Sequence, residues 1–174
     1  DGTVIRVTIS GDRVYFNGAT DPVIATIAPD AQTGVAELTV TVGDKTYVFV
    51  HDGIALVSED LTVYAASAVD ALFGNYILGS ASFALSDGKL IITQNGVAGA
   101  AQGLNLVYSN EVLSLLTGDL TFTVKNGHMT VAGYTSEVTG TVGEFRLFTA
   151  DELSAVLAAL KGNWMARPSG GVKY

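Results

Sequence analysis

The sequence contains no cysteine, which removes disulfides, thiolate metal ligands and thiol nucleophiles together. A chain without free thiols suits oxidising surroundings. Charge is scarce as well: Asp, Glu, Lys and Arg make up 15% of the chain, against roughly 25% in an average globular protein. The nine Lys and Arg are scattered among 17 Asp and Glu, for a net charge of −8. Binding to a phosphate backbone needs clustered cations, so this balance argues against nucleic acid as a partner. The apolar stretches break well short of the roughly 20 residues of a membrane helix, so no membrane span is expected, and no basic-then-apolar leader opens the chain. It begins at Asp1 rather than Met. Because Met is seldom trimmed before Asp, Asp1 reads as a product of processing, the first ordered residue of a longer chain or a cut at a domain boundary.

What is present is apolar and small. Hydrophobic residues reach 48%, with 20 Gly among 174 residues, a balance opposite to that of disordered chains. At this length folding buries roughly 70% of the unfolded surface, enough for stability without a metal or disulfide. One domain or two small ones fit.

Alternation of apolar and polar residues dominates and marks half-buried strands. Ile5, Val7 and Ile9 alternate with Arg6, Thr8 and Ser10; Leu38, Val40 and Val42 with Glu37, Thr39 and Thr41; Leu120, Phe122 and Val124 with Asp119, Thr121 and Thr123. Between such runs stand Gly11-Asp12, Gly43-Asp44, Asp87-Gly88 and Asn126-Gly127, pairs that tolerate the positive φ of tight hairpin turns. The expected fold is mainly β: an antiparallel sandwich or barrel-like body with two or three short helices. The clearest helix runs from about Ala150 to Lys161, with Leu153, Val156, Leu157 and Leu160 on one face, Thr149 and Glu152 at capping-box spacing, and Gly162 as its stop. A weaker helix is expected over Ala68–Phe73, with Ser67 and Asp70 at its start and Gly74 at its end. A third is expected over Asn110–Thr117, ending at Gly118.

Self-similarity gives a further expectation. Ser10–Gly18 resembles Ser86–Gly96, Glu37–Val42 matches Asp119–Val124, Leu61–Tyr64 pairs with Phe145–Phe148, and Leu72–Tyr76 ends like Leu160–Trp164. The matches keep their order, as an internal tandem duplication would. The chain then divides into β-rich repeat units at 1–78 and 79–174, packed together as one compact body. The tail Met165–Tyr174 could open a third unit of a longer array.

Chemistry is hard to find. There is no Gly-x-Ser-x-Gly elbow, no phosphate-binding loop and no His-Glu-x-x-His, so no catalytic residue is expected and the chain reads as no enzyme. His51 and His128 stand beside hairpin turns without a second ligand at metal spacing, and no local pattern pairs either with a Tyr for haem. Asp12, Asp44 and Asp87 fit turns, while Asp70, Asp151 and Glu152 fit helix starts. The doublet Glu59-Asp60 is the best surface-cation candidate, without a calcium-loop pattern behind it. No metal or cofactor is therefore expected. Tyr15, Phe16, Tyr47, Phe49, Tyr64, Tyr76 and Trp164 are candidates for a glycan platform, although packing explains most of them.

In composition and repetition the chain resembles β-rich domains of bacterial surface layers, filaments and phage particles, without a motif in common. The expected function is a non-enzymatic structural or assembly protein of an extracellular surface, filament or virus particle, associating with identical or related subunits as a homo-oligomer. Low charge leaves sheet edges poorly protected against pairing, and the terminal segments Asp1–Ile9 and Ala166–Tyr174 are expected to reach a neighbour. The alternative is an extracellular binding module for a glycan or small hydrophobic molecule, held between the two halves.

Overall fold

A computed structural model describes residues 7–10, 13–16, 23–137 and 139–163. The fold is mainly β, with three antiparallel sheets in a sandwich-like arrangement and two helices. The first sheet is a meander in chain order: β1 (Val7–Ser10), β2 (Arg13–Phe16), β3 (Val23–Pro29), β4 (Ala36–Val42), β5 (Lys45–Asp52), β6 (Ala55–Val57) and β7 (Thr62–Tyr64). Alternation explains its core. Leu38 and Val40 of β4 and Phe49 of β5 point to one face, where they are buried with Val14 of β2. Val7 packs on this cluster from one end of the strand order, and Leu56 and Val63 pack on it from the other. The sheet therefore rolls upon itself, as its right-handed twist favours.

A short helix, α1 (Ala66–Asp70), leads into the second sheet. That sheet runs β8 (Gly74–Leu78), β9 (Ala81–Ser86), β10 (Lys89–Gln94) and β11 (Val97–Ala98), with β12 (Gln102–Gly103) also paired to β10. The third sheet is a second meander of β13 (Asn105–Ser109), β14 (Val112–Thr117), β15 (Leu120–Lys125), β16 (His128–Thr135) and β17 (Val142–Arg146), followed by helix α2 (Ala150–Ala159).

The inner faces of the second and third sheets form the main core. Phe83 on β9 is fully buried, with its ring 5.8 Å from Phe122 on β15 and 5.1 Å from Tyr134 on β16, both edge-on. Aromatic pairs prefer such edge-to-face geometry. Leu85, Leu90, Leu115, Val131 and Leu147 are buried around them. Backbone bonds tie the layers at two places. Ile77 of β8 exchanges hydrogen bonds with Phe148, just beyond β17, and the Leu104 N–H donates to the Gly88 carbonyl where the chain crosses from β12 to β13. The first sheet meets this sandwich where the Tyr64 ring stands 6.2 Å from that of Tyr108.

Two helix expectations are corrected. Asn110–Thr117 is no helix: Asn110 and Glu111 form a turn with φ of 50° and 62°, and β14 follows. Leu113, Leu115 and Thr117 alternate into the core, and that period of two outweighs helix propensity. The helix expected at Ala68–Phe73 lies two residues earlier, starts from Ala65 and has no side-chain cap. Gly74 begins β8. The duplication is not shown. The first region is one rolled seven-stranded sheet, whereas the later region makes two five-stranded sheets packed face to face. Strand pairing places β8 with β9, so the change from first to second sheet falls at α1.

Candidate functional site

Two places in the structure combine exposed apolar side chains with an outer strand or a helix face, although Val97 and Val142 are the most exposed large apolar side chains among the described residues. The first is the rim of the third sheet. Its two outer strands differ in charge, although both expose a valine, Val142 of β17 at 63%. β17 carries Glu144 and Arg146 and pairs with β16 through a bulge at Gly133; charge and bulges are the usual guards of a sheet edge. At the opposite rim β13 reads Asn-Leu-Val-Tyr-Ser, without charge or proline. Val107 is 41% exposed there, next to the exposed Val112 of β14. Tyr108 turns inward, and its hydroxyl lies against Gly53, where an added Cβ would stand 2.6 Å from it. Among the described residues no strand pairs with the outer edge of β13. Neighbouring rows of the outer face are small and hydroxylic, with Ser114 and Thr123 hydrogen-bonded at 2.9 Å.

The second place is α2. Its start is fixed by a full capping box: Thr149 Oγ1 accepts from the Glu152 N–H at 3.2 Å, and Glu152 accepts from the Thr149 N–H at 2.9 Å. The same carboxylate lies 3.4 Å from His128 Nδ1 and 3.5 Å from Arg146 Nη2. The Thr149 N–H, helped by His128 and Arg146, holds Glu152 below the usual carboxylate range. Arg146 stacks 4.1 Å above the Phe148 ring, and its Nη2 lies 2.8 Å from His128 Nδ1. This cluster anchors the first turn of the helix. From Ser154 onward every described residue is exposed.

A shallower feature lies at one mouth of the rolled sheet, under the β5–β6 turn. It is an open groove of about 300 Å³ lined by apolar side chains, among them Val7, Ile54, Leu56 and Val63, with His51 on its wall.

The residues singled out in the sequence are dispersed. His51 lies near the end of β5 and His128 at the start of β16, in different sheets. Among the described residues no three His, Asp or Glu side chains gather as a metal site would require. Asp60 of the acidic doublet pairs with Lys45 Nζ at 2.9 Å, and that Lys also sits 5.0 Å from the Tyr47 ring. The aromatic residues do not make one platform. Phe49 and Tyr76 are buried, Tyr47 stacks on Phe49, and Tyr64 joins the sheets. The backbones of Tyr15 and Phe16 lie in β2. Trp164, Asp12 and the segment Ala166–Tyr174 lie outside the described residues, as does most of Asp1–Ile9. The β13 rim was passed over in the sequence because Asn110–Thr117 read as helix, which hid the hairpin that makes Asn105–Ser109 an outer strand.

No helix among the described residues is long and apolar enough to cross a membrane. No protein-family model, no curated protein and no solved structure matches the chain.

Proposed function

We propose that this chain is a non-enzymatic structural subunit that associates with copies of itself on an extracellular surface, in a filament or in a virus particle. The observation that carries the reading is β13, an outer strand of five residues without charge or proline and with Val107 exposed. An outer strand presents alternate N–H and C=O groups to whatever lies beside it, and soluble proteins ordinarily guard such strands. Here the opposite rim carries charge and a bulge and this one carries neither, although Tyr64 and Gly53 of the first sheet lie against Tyr108 of β13. Pairing of β13 with a strand of a neighbour extends the sheet from subunit to subunit and supplies specificity through backbone hydrogen bonds.

Negative-stain electron microscopy and light scattering test this directly. The wild-type protein should form regular polymers or sheets as concentration rises. Val107→Lys should keep the fold, since the site is exposed, and abolish the polymers by placing a charge at the joint. Polymers that persist in Val107→Lys would remove β13 from the account, and a wild-type protein that never assembles would remove the reading itself.

A binding module for a small hydrophobic molecule is the second reading, and the groove beside His51 is what favours it. Small-molecule sites often occupy the mouths of barrel-like sheets. Titration with an apolar fluorophore should then give saturable enhancement that Leu56→Gln removes. Enhancement unchanged by that substitution would count against the groove.

A further inference from the structure

One carboxylate gathers the contacts that seat α2. Glu152, the third residue of the helix, accepts from the Thr149 N–H at 2.9 Å and lies 3.4 Å from His128 Nδ1 and 3.5 Å from Arg146 Nη2. Three elements meet in it: the helix itself, β16 through His128 and β17 through Arg146. Behind them Lys125 of β15, across from His128, is held by Glu144 of β17 at 2.9 Å. Asp151 is the other acid of the first turn. From the second sheet the titratable group is Tyr76 of β8, whose hydroxyl is pushed up by burial first and by the Glu152 charge second.

A proton on that carboxylate removes several attractions at once. The bond from Thr149 becomes a neutral one, weaker than a charge-assisted bond. The negative charge that the macrodipole favours at a helix N-terminus is gone. His128 and Arg146 lose the anion they share. A histidine is a cation in acid, so two positive groups, with Nδ1 and Nη2 2.8 Å apart, then face each other without it. The sandwich core stands apart from this contact. Within α2 only Glu152 and Leu153 are less than exposed, and no residue of the helix belongs to either buried core. A helix of ten residues is too short to persist in water on propensity alone, so loosening its first turn loosens the whole element.

We infer that α2 is an acid-released latch: protonation of Glu152 frees the helix from the third sheet while the sandwich stays folded. The Thr149 N–H, with His128 and Arg146 adding to it, holds the Glu152 carboxyl below the ordinary 4.5. A carboxylate with a lowered folded value contributes its full stabilisation above the unfolded value and loses it as pH falls through the folded one. The helix is therefore seated at neutral pH and in mild acid, and release belongs to the range below 4.5. It uncovers the part of β8 against which α2 lies. The latch goes beyond the assembly reading and stands whether or not β13 joins a neighbour.

Amide exchange followed by NMR on the full chain, from about pH 6.5 to about pH 3, tests it across the range in which the carboxylate titrates. Amides of α2 are read against those of β15 and β16 in the same sample, so that the intrinsic pH dependence of exchange cancels. Protection of α2 relative to the sheet should fall about threefold in acid, the size expected of exposed ion pairs and one charge at a helix end. Glu152→Gln keeps a capping-box residue at that position but carries no charge. Its α2 should be less protected at neutral pH and show no further fall in acid. His128→Gln removes a group that favours the charged carboxylate, so the acid transition of α2 should move to higher pH. Asp151→Asn should leave that transition in place. Relative protection that stays flat in the wild type overturns the inference. So does a fall undiminished in Glu152→Gln, a transition unmoved in His128→Gln, or a sheet that loses protection together with α2.

Discussion

Gly133 shows how much a single position can decide. It sits at the bulge where β16 shifts register between Ala132 and Tyr134, with φ +84°. A Cβ there would stand 2.1 Å from the Asp119 carbonyl oxygen in the β14–β15 turn. Backbone, not a flexible side chain, is in the way, so the clash cannot be relieved by a rotamer change. Gly133→Ala should cost about 2–4 kcal/mol and lower Tm by roughly 5–15 °C for a chain of this size. A calorimetric scan decides it, and a shift below a degree would mean the bulge relaxes freely. Glu137 offers a gentler residue-scale test. It accepts hydrogen bonds from Ser80, Gln94 and Asn95, tying the β16–β17 loop to turns of the second sheet. The Ser80 and Gln94 bonds, and then that of Asn95, hold its carboxyl below the ordinary 4.5. A depressed carboxylate stabilises the fold fully above the unfolded pKa and loses that contribution as pH falls through the lower folded value. Wild-type Tm should therefore drop more steeply below pH 4.5 than that of Glu137→Gln, and parallel acid profiles would show the bonds to be energetically idle. The effect is modest, because Glu137 is exposed.

At the scale of elements, α2 was legible in the sequence and Asn110–Thr117 was not. Thr149 and Glu152 stand three residues apart ahead of an apolar stripe, and their capping box forms as the spacing implies. Such a signal is local, and local chemistry is what a sequence states most directly. Thr149→Ala should cost about 1 kcal/mol, so amide exchange in α2 should speed up about fivefold. Sheet amides should be unchanged; if they also quicken, the helix is coupled to the sandwich more tightly than its exposed length implies. The run Val112–Thr117 holds several leucines, good helix formers by propensity. Two residues in left-handed conformation, one of them Glu111, and the burial of Leu113 and Leu115 overrode that preference. An Asn-Glu turn has no glycine to announce it, whereas Asp87-Gly88 and Asn126-Gly127 mark their hairpins in the sequence.

At the scale of the whole molecule two cores are described, and among the described residues the one between the second and third sheets is the larger. Among the described residues the sandwich buries Phe83, Phe122, Leu85, Leu90, Leu115 and Leu147 around aromatic contacts, while the first sheet centres on Val14, Leu38, Val40 and Phe49. Regions with fewer buried apolar contacts open at lower free energy. In native-state hydrogen exchange, amides of β9, β10, β15 and β16 should be the last to exchange, and those of β4 and β5 should open earlier. Equal protection throughout would mean that the Tyr64–Tyr108 junction couples the sheets into one cooperative unit.

Composition and alternation settled the fold class, since a period of two in apolar residues commits a segment to a half-buried strand wherever it lies in the chain. Turn dipeptides and the α2 capping box followed from short-range chemistry in the same way. Which strands lie at a rim, which faces meet and which aromatic residues end up buried was decided by the tertiary structure. Those outcomes depend on pairings between residues far apart in sequence, and no local spacing encodes them. The exposed rim and the exposed helix both come from that second level: β13 is a rim only because the third sheet ends there, and the α2 stripe is exposed only because the sandwich receives little more than its first turn.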